Sequence, residues 1–158
     1  MKLIHKRVGI LFLCLVLGFS SCSSDDNGDP ETFIKFKIND TSYLFKDIIS
    51  VETNSTLSLN GNNGLGISNP GDTQIAVLIP ADFQLGSFEV SGDFFANHKI
   101  IFSSNPLGFD NNAATNGSLN ITSTSGEFVK GVFSVTVTNS SGNTIILSDG
   151  EFKGFKVD

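Results

Sequence analysis

Phe133-Ser134-Val135-Thr136-Val137-Thr138 is the stretch whose reading decides the fold. Apolar and polar side chains alternate through it, and Val and Thr, stiff at χ1, fill four positions. A helix would scatter these apolar groups around its circumference, whereas an extended strand places Phe133, Val135 and Val137 on one face. The segment therefore reads as a strand with one buried face. Upstream, Leu119 and Ile121 point in, with Ser118, Asn120 and Thr122 out. Downstream, Ser140-Ser141-Gly142-Asn143 reads as a turn and leads to Ile145 and Leu147. Asp149-Gly150 reads as a second tight turn before a closing strand from Phe152 to Val157. Consecutive strands joined by such short connections make an antiparallel meander.

The same period runs through the earlier sequence. Ile34, Phe36 and Ile38 alternate with Lys35 and Lys37, Asn39-Asp40 supplies a hairpin turn, and Tyr43 and Phe45 lie on the return strand. Leu57 and Leu59 mark another strand, closed by Asn60-Gly61-Asn62-Asn63-Gly64. Thr73 to Pro80 carries an unbroken apolar run, which suits a strand covered on both faces at the centre of the core. Phe88 and Val90 follow Gly86, and Ile100 and Phe102 lead into Ser103 to Gly117, an Asn- and Gly-rich stretch that reads as a long loop. Almost nothing repeats at 3.6 residues. The expectation is an all-β domain over residues 32–158, an antiparallel meander forming a single β-sandwich, with a small closed β-barrel as the alternative.

The N-terminus is organised differently. Lys2, Lys6 and Arg7 precede an apolar run from Val8 to Phe19, and Ser20-Ser21 lead to Cys22. Twelve apolar positions fall short of the roughly twenty needed to span a bilayer as a helix, so residues 1–21 read as a removable signal peptide. Residues 22–31 are small, polar and acidic, a composition that forms a flexible tether. Because residues 1–21 hold three basic residues and no acid, the remainder carries seven Lys against sixteen Asp and Glu, a net charge near −9. Its lysines are dispersed along the sequence, so no basic patch for nucleic acid is expected.

Chemistry-bearing groups are sparse. Nucleophilic catalysis needs a base beside the nucleophile, and past the signal segment the chain holds a single histidine, His98, read as a solvated residue at a strand entry. Zinc sites of several His or Cys are excluded by count. Paired acids could hydrolyse glycosides, but Glu89, Asp93, Asp149 and Glu151 fall at outward or turn positions. Oxygen-rich runs at Asp25–Glu31 and Phe109–Asn112 lack the spacing of a calcium loop. No catalytic, cofactor-binding or metal site is therefore expected, and a monomer is. Of the fifteen phenylalanines, Phe36, Phe45, Phe88 and Phe133 fall on inward positions, whereas Phe94-Phe95 break the alternation.

Cys22 and its surroundings resemble the lipobox of bacterial lipoproteins, and Ser24-Asp25-Asp26 resembles the acidic lipoprotein export signal of Bacteroidota. Residues 32–158 resemble a family of small Bacteroidota lipoproteins with an all-β domain of unassigned function. The resemblance is carried by Phe36-Lys37-Ile38-Asn39-Asp40-Thr41-Ser42-Tyr43, Gly86-Ser87-Phe88, Gly117-Ser118-Leu119-Asn120-Ile121, Gly131-Val132-Phe133-Ser134-Val135 and Asp149-Gly150-Glu151-Phe152. It implies acyl chains on Cys22, anchoring at the outer membrane, and exposure at the cell surface, with a periplasm-facing location as the alternative. The functional expectation is a non-enzymatic binding module with a protein or glycan partner. A carrier of a small apolar ligand is the alternative, and a carboxylate-dependent hydrolase ranks third.

Overall fold

The computed structural model describes residues 31–93 and 95–157. The signal segment, Cys22 and Ser24-Asp25-Asp26 lie outside the described residues, as does Phe94.

Ten strands follow in chain order: β1 (Phe33–Ile38), β2 (Thr41–Lys46), β3 (Ile49–Glu52), β4 (Thr56–Asn62), β5 (Thr73–Pro80), β6 (Gly86–Glu89), β7 (Lys99–Ser104), β8 (Phe109–Ser123), β9 (Phe128–Thr138) and β10 (Thr144–Phe155). The domain is all-β, interrupted among the described residues only by a 3-10 turn at Asn105–Leu107. Every pairing is antiparallel. The strand order is β2-β1-β10-β9-β8-β7-β5-β4-β3, with β6 paired to β8.

The sheet curls into a half-barrel, and β8 is where its two halves join. One flank of β8 pairs with β9 from Ala114 to Ser123, while the other pairs first with β7 and then with β6. A register shift between Ala114 and Asn116 marks an irregularity in the ladder, the kind of bulge at which strands bend. The halves β2-β1-β10-β9 and β7-β5-β4-β3 then meet face to face. Phe36 of β1 meets the Phe102 ring of β7 edge-on at 6.0 Å. A Cβ on Gly154 of β10 would stand 2.5 Å from Leu59 Cδ2 of β4, and one on Gly61 of β4 would stand 3.0 Å from Phe45 Cβ of β2.

The alternation read from the sequence supplies this core. Ile34, Phe36, Leu119, Ile121, Phe133, Val135, Val137, Leu147 and Phe152 are buried, facing Leu57, Leu59, Ile75, Val77, Ile79, Ile100 and Phe102 from the other half. Among the described residues six phenylalanines, Phe36, Phe45, Phe102, Phe109, Phe133 and Phe152, pack in the interior, so the space between the halves is occupied by the protein's own rings.

Four local readings are corrected. Phe109 to Gly117 is not loop but the first part of β8, in which Phe109 and Ala114 alone are buried, and the outward Asn residues hide the strand pattern. Asp149-Gly150 is not a hairpin turn. Asp149 adopts a left-handed φ of 51° within continuous β10, where the register slips between Leu147 and Gly150: a bulge. β4 does not close at Asn60 but continues to Asn62. In β5, Ile75, Val77 and Ile79 are buried, whereas Ala76 and Leu78 stay partly open on the outer face.

Candidate functional site

That half-open outer face is where a candidate binding site forms. Since Leu57, Leu59, Ile75, Val77, Ile100 and Phe102 point inward, their strand neighbours must point outward. Register places Ser58 opposite Leu78 and Asn60 opposite Ala76, which in turn lies opposite Ile101. Val51 from β3 extends the floor opposite Ser58. Ala76, Leu78, Ile101 and Val51 thus form an apolar floor bordered by Ser58, Asn60, Asn62, Gln74, Ser103 and Asn111. Ile67 and Pro70, from the connection between β4 and β5, complete a groove of about 440 Å³.

That connection is tightly held. Asn63 N–H donates to Thr73 O, Thr73 N–H donates to Asn63 Oδ1 at 2.9 Å, and Leu65 N–H donates to Asn69 O at 2.7 Å. A Cβ at Gly64 would fall 2.0 Å from Asn69 O, so only glycine fits there. These bonds hold two large apolar side chains in solvent: Leu65 is 90% exposed and Ile67 62%. On the floor, Asn60 Nδ2 donates to Ile49 O and Ser58 O, and Ser58 Oγ donates to Asn60 Oδ1, which fixes the amide.

The acids singled out from sequence do not assemble into one cleft. Asp149 and Glu151 share a shallow depression on the outer face of β10 with Ser118, Asn120 and Val132. Each faces a lysine of β1: Lys37 Nζ lies 2.9 Å from Asp149 Oδ2, and Lys35 Nζ lies 2.6 Å from Glu151 Oε2. The hydrogen bond to Asp149, followed by its charge, raises the Lys37 pKa. Glu89 lies exposed on β6, and exposed Asp93 accepts the Phe95 N–H at 2.8 Å. Asp110 to Asn112 lie in β8, where Asp110 N–H donates to Asn112 Oδ1 and Asn111 N–H donates to Ser103 Oγ of β7. Among the described residues no cluster of three His, Cys, Asp or Glu could hold a metal.

His98 is not a solvated strand-entry residue. It is half-buried against Phe88, and burial lowers its pKa. Of the Phe94-Phe95 pair, Phe95 is 85% exposed. The groove was not visible in the sequence because its lining is assembled from separate strands, β3, β4, β5, β7 and β8. The one available signal was the continuous apolar run of β5, whose outward members are floor residues. Comparison with protein-family models, curated proteins and solved structures gave no match for the chain.

Proposed function

We propose that the chain is a lipid-anchored, non-enzymatic binding module of the outer membrane, displayed at the cell surface. The signal segment, Cys22 and the acidic Ser24-Asp25-Asp26 support the anchoring and display. The observation that carries the binding role is the braced β4–β5 connection, which holds Leu65 and Ile67 in solvent beside an apolar-floored groove. Exposed apolar side chains on a rigid frame serve association, because they lose little freedom when covered. No aromatic ring is among the groove's lining residues, and its anchors are aliphatic, so a protein partner fits better than a glycan. An apolar-ligand carrier would need a lumen where the phenylalanine rings pack, and a hydrolase would need carboxylates gathered in one cleft, whereas Asp149 and Glu151 pair with Lys37 and Lys35 on β1 and Glu89 and Asp93 stand exposed outside their depression.

The test is crosslinked pull-down from intact cells with the wild-type chain and with Leu65→Ser/Ile67→Ser. A protein captured by the first and not the second is the expected result. Capture of neither protein nor glycan, or equal capture by both chains, overturns the reading.

A further inference from the structure

We propose that the outer face of the β2-β1-β10-β9 half docks on an anionic lipid surface. Strand register aligns lysines that the sequence disperses. Lys46 of β2 lies opposite Phe33 of β1, Phe33 opposite Lys153 of β10, and Lys153 opposite Lys130 of β9. Their strand neighbours Phe45, Ile34, Phe152 and Val129 are buried, so the whole row points outward. Three strand spacings set Lys46 and Lys130 about 14 Å apart.

Apolar groups lie among these charges. Phe128 and Phe155 stack with centroids 4.8 Å apart at the end of the row, and Lys153 Nζ sits 4.2 Å from the Phe128 ring centroid. In the adjoining row Leu44 is 51% exposed and Val132 43%. Lysines interleaved with aromatic and aliphatic groups suit a headgroup boundary, where the ammonium meets phosphate and the apolar body enters the acyl edge. The acids nearest on the strands, Glu151 and Asp149, already pair with Lys35 and Lys37. Glu31, Asp47 and Glu127 lie just beyond the strand ends, and among the described residues none forms an ion pair with Lys46, Lys130 or Lys153.

The position of this face relative to the anchor identifies the occupant. The chain enters the domain at Thr32, directly beside Phe33 of the row. The geometry rests on lipidation of Cys22 as proposed above: the nine residues from there to Glu31 reach at most about 32 Å when extended. A face carrying a lysine row, at the end where a short lipid tether enters, stays within reach of phosphate headgroups. The groove, on the outside of the opposing half, then looks away from the lipid.

The experiment uses the chain from residue 22 with Cys22→Ser, which has no acyl group, and vesicles of phosphatidylcholine with or without phosphatidylglycerol. Co-sedimentation with the anionic vesicles, lost at high salt, is expected. Lys46→Gln/Lys130→Gln/Lys153→Gln should weaken partitioning on the order of 100-fold, from roughly tenfold or less per lysine. Lys35→Gln/Lys37→Gln, a control that removes two lysines already matched by acids, should weaken it far less. Unchanged thermal unfolding keeps the comparison to folded protein. Equal binding to both vesicle types, equal loss in the two variants, binding to soluble polyphosphate but not to vesicles, or no binding overturns the proposal. The mass of the processed N-terminus tests lipidation separately, so either reading can fail while the other stands.

Discussion

The imidazole of His98 lies flat against the ring of Phe88, with centroids 3.9 Å apart and planes 11° from parallel. Phe88 belongs to β6, a four-residue strand that pairs with β8, and His98 directly precedes β7. The stack therefore ties a short edge strand to the strand that follows it along the same flank of β8.

Burial lowers the His98 pKa below the ordinary 6.5, and its Nε2 is buried with no hydrogen-bond partner among the described residues. The unfolded chain then takes up a proton at a pH where the folded chain does not. Stability from the neutral ring is fully present above about pH 6.5 and declines as pH falls through the window below it. His98→Phe should flatten that slope below about pH 6.5 in thermal melts. Nuclear magnetic resonance checks the direction: beyond residue 21 this is the one histidine, and its midpoint should lie below 6.5.

Gly131 and Gly154 make a matched pair for testing close packing between elements. A Cβ at Gly131 would stand 2.5 Å from the Asn120 backbone oxygen and 2.4 Å from Phe152 Cζ, whereas at Gly154 the nearest atoms are the methyl ends of Leu59. Backbone cannot yield as a leucine tip can. Gly131→Ala should cost about 3 kcal/mol and Gly154→Ala closer to 1 kcal/mol, read from urea unfolding midpoints.

Asp149 separates charge from backbone. Its left-handed φ of 51° forms the β10 bulge, while its carboxylate meets Lys37 at the surface. Asp149→Asn keeps a residue that tolerates this conformation and should leave the thermal midpoint nearly unchanged. Asp149→Val forces a β-branched side chain into the left-handed region and should destabilise by about 1–2 kcal/mol. Equal effects of the two substitutions would show that the ion pair, not the bulge, sets the residue type.

The strands with clean alternation were legible because one buried face imposes a period of two on the sequence: Phe133 to Thr138 and Ile34 to Ile38 hold their expected faces. The opening turn was legible too, since Asn39 adopts the positive φ of 53° that its type tolerates. The first part of β8 was not, because Asn111, Asn112 and Asn116 are loop-forming types and Ala114 contributes too small an apolar signal. Asp149-Gly150 misled because a bulge and a hairpin turn need the same positive φ, and only pairing with β9 on both sides distinguishes them. Both surface features, the groove and the lysine row, depend on register between strands far apart in the chain. Composition reported seven dispersed lysines, while the sheet places five of them on β1, β2, β9 and β10 and one directly after β10.

The strand that opens the domain is not an edge strand. β1 lies between β2 and β10, hydrogen-bonded along both sides. A pull on the chain at Thr32, directed along β1, therefore loads two ladders in shear, so that many bonds must fail together instead of opening one after another. In mechanical terms the domain is gripped at an interior strand, and tension between a held N-terminus and a captured partner would be borne where the sheet resists it best.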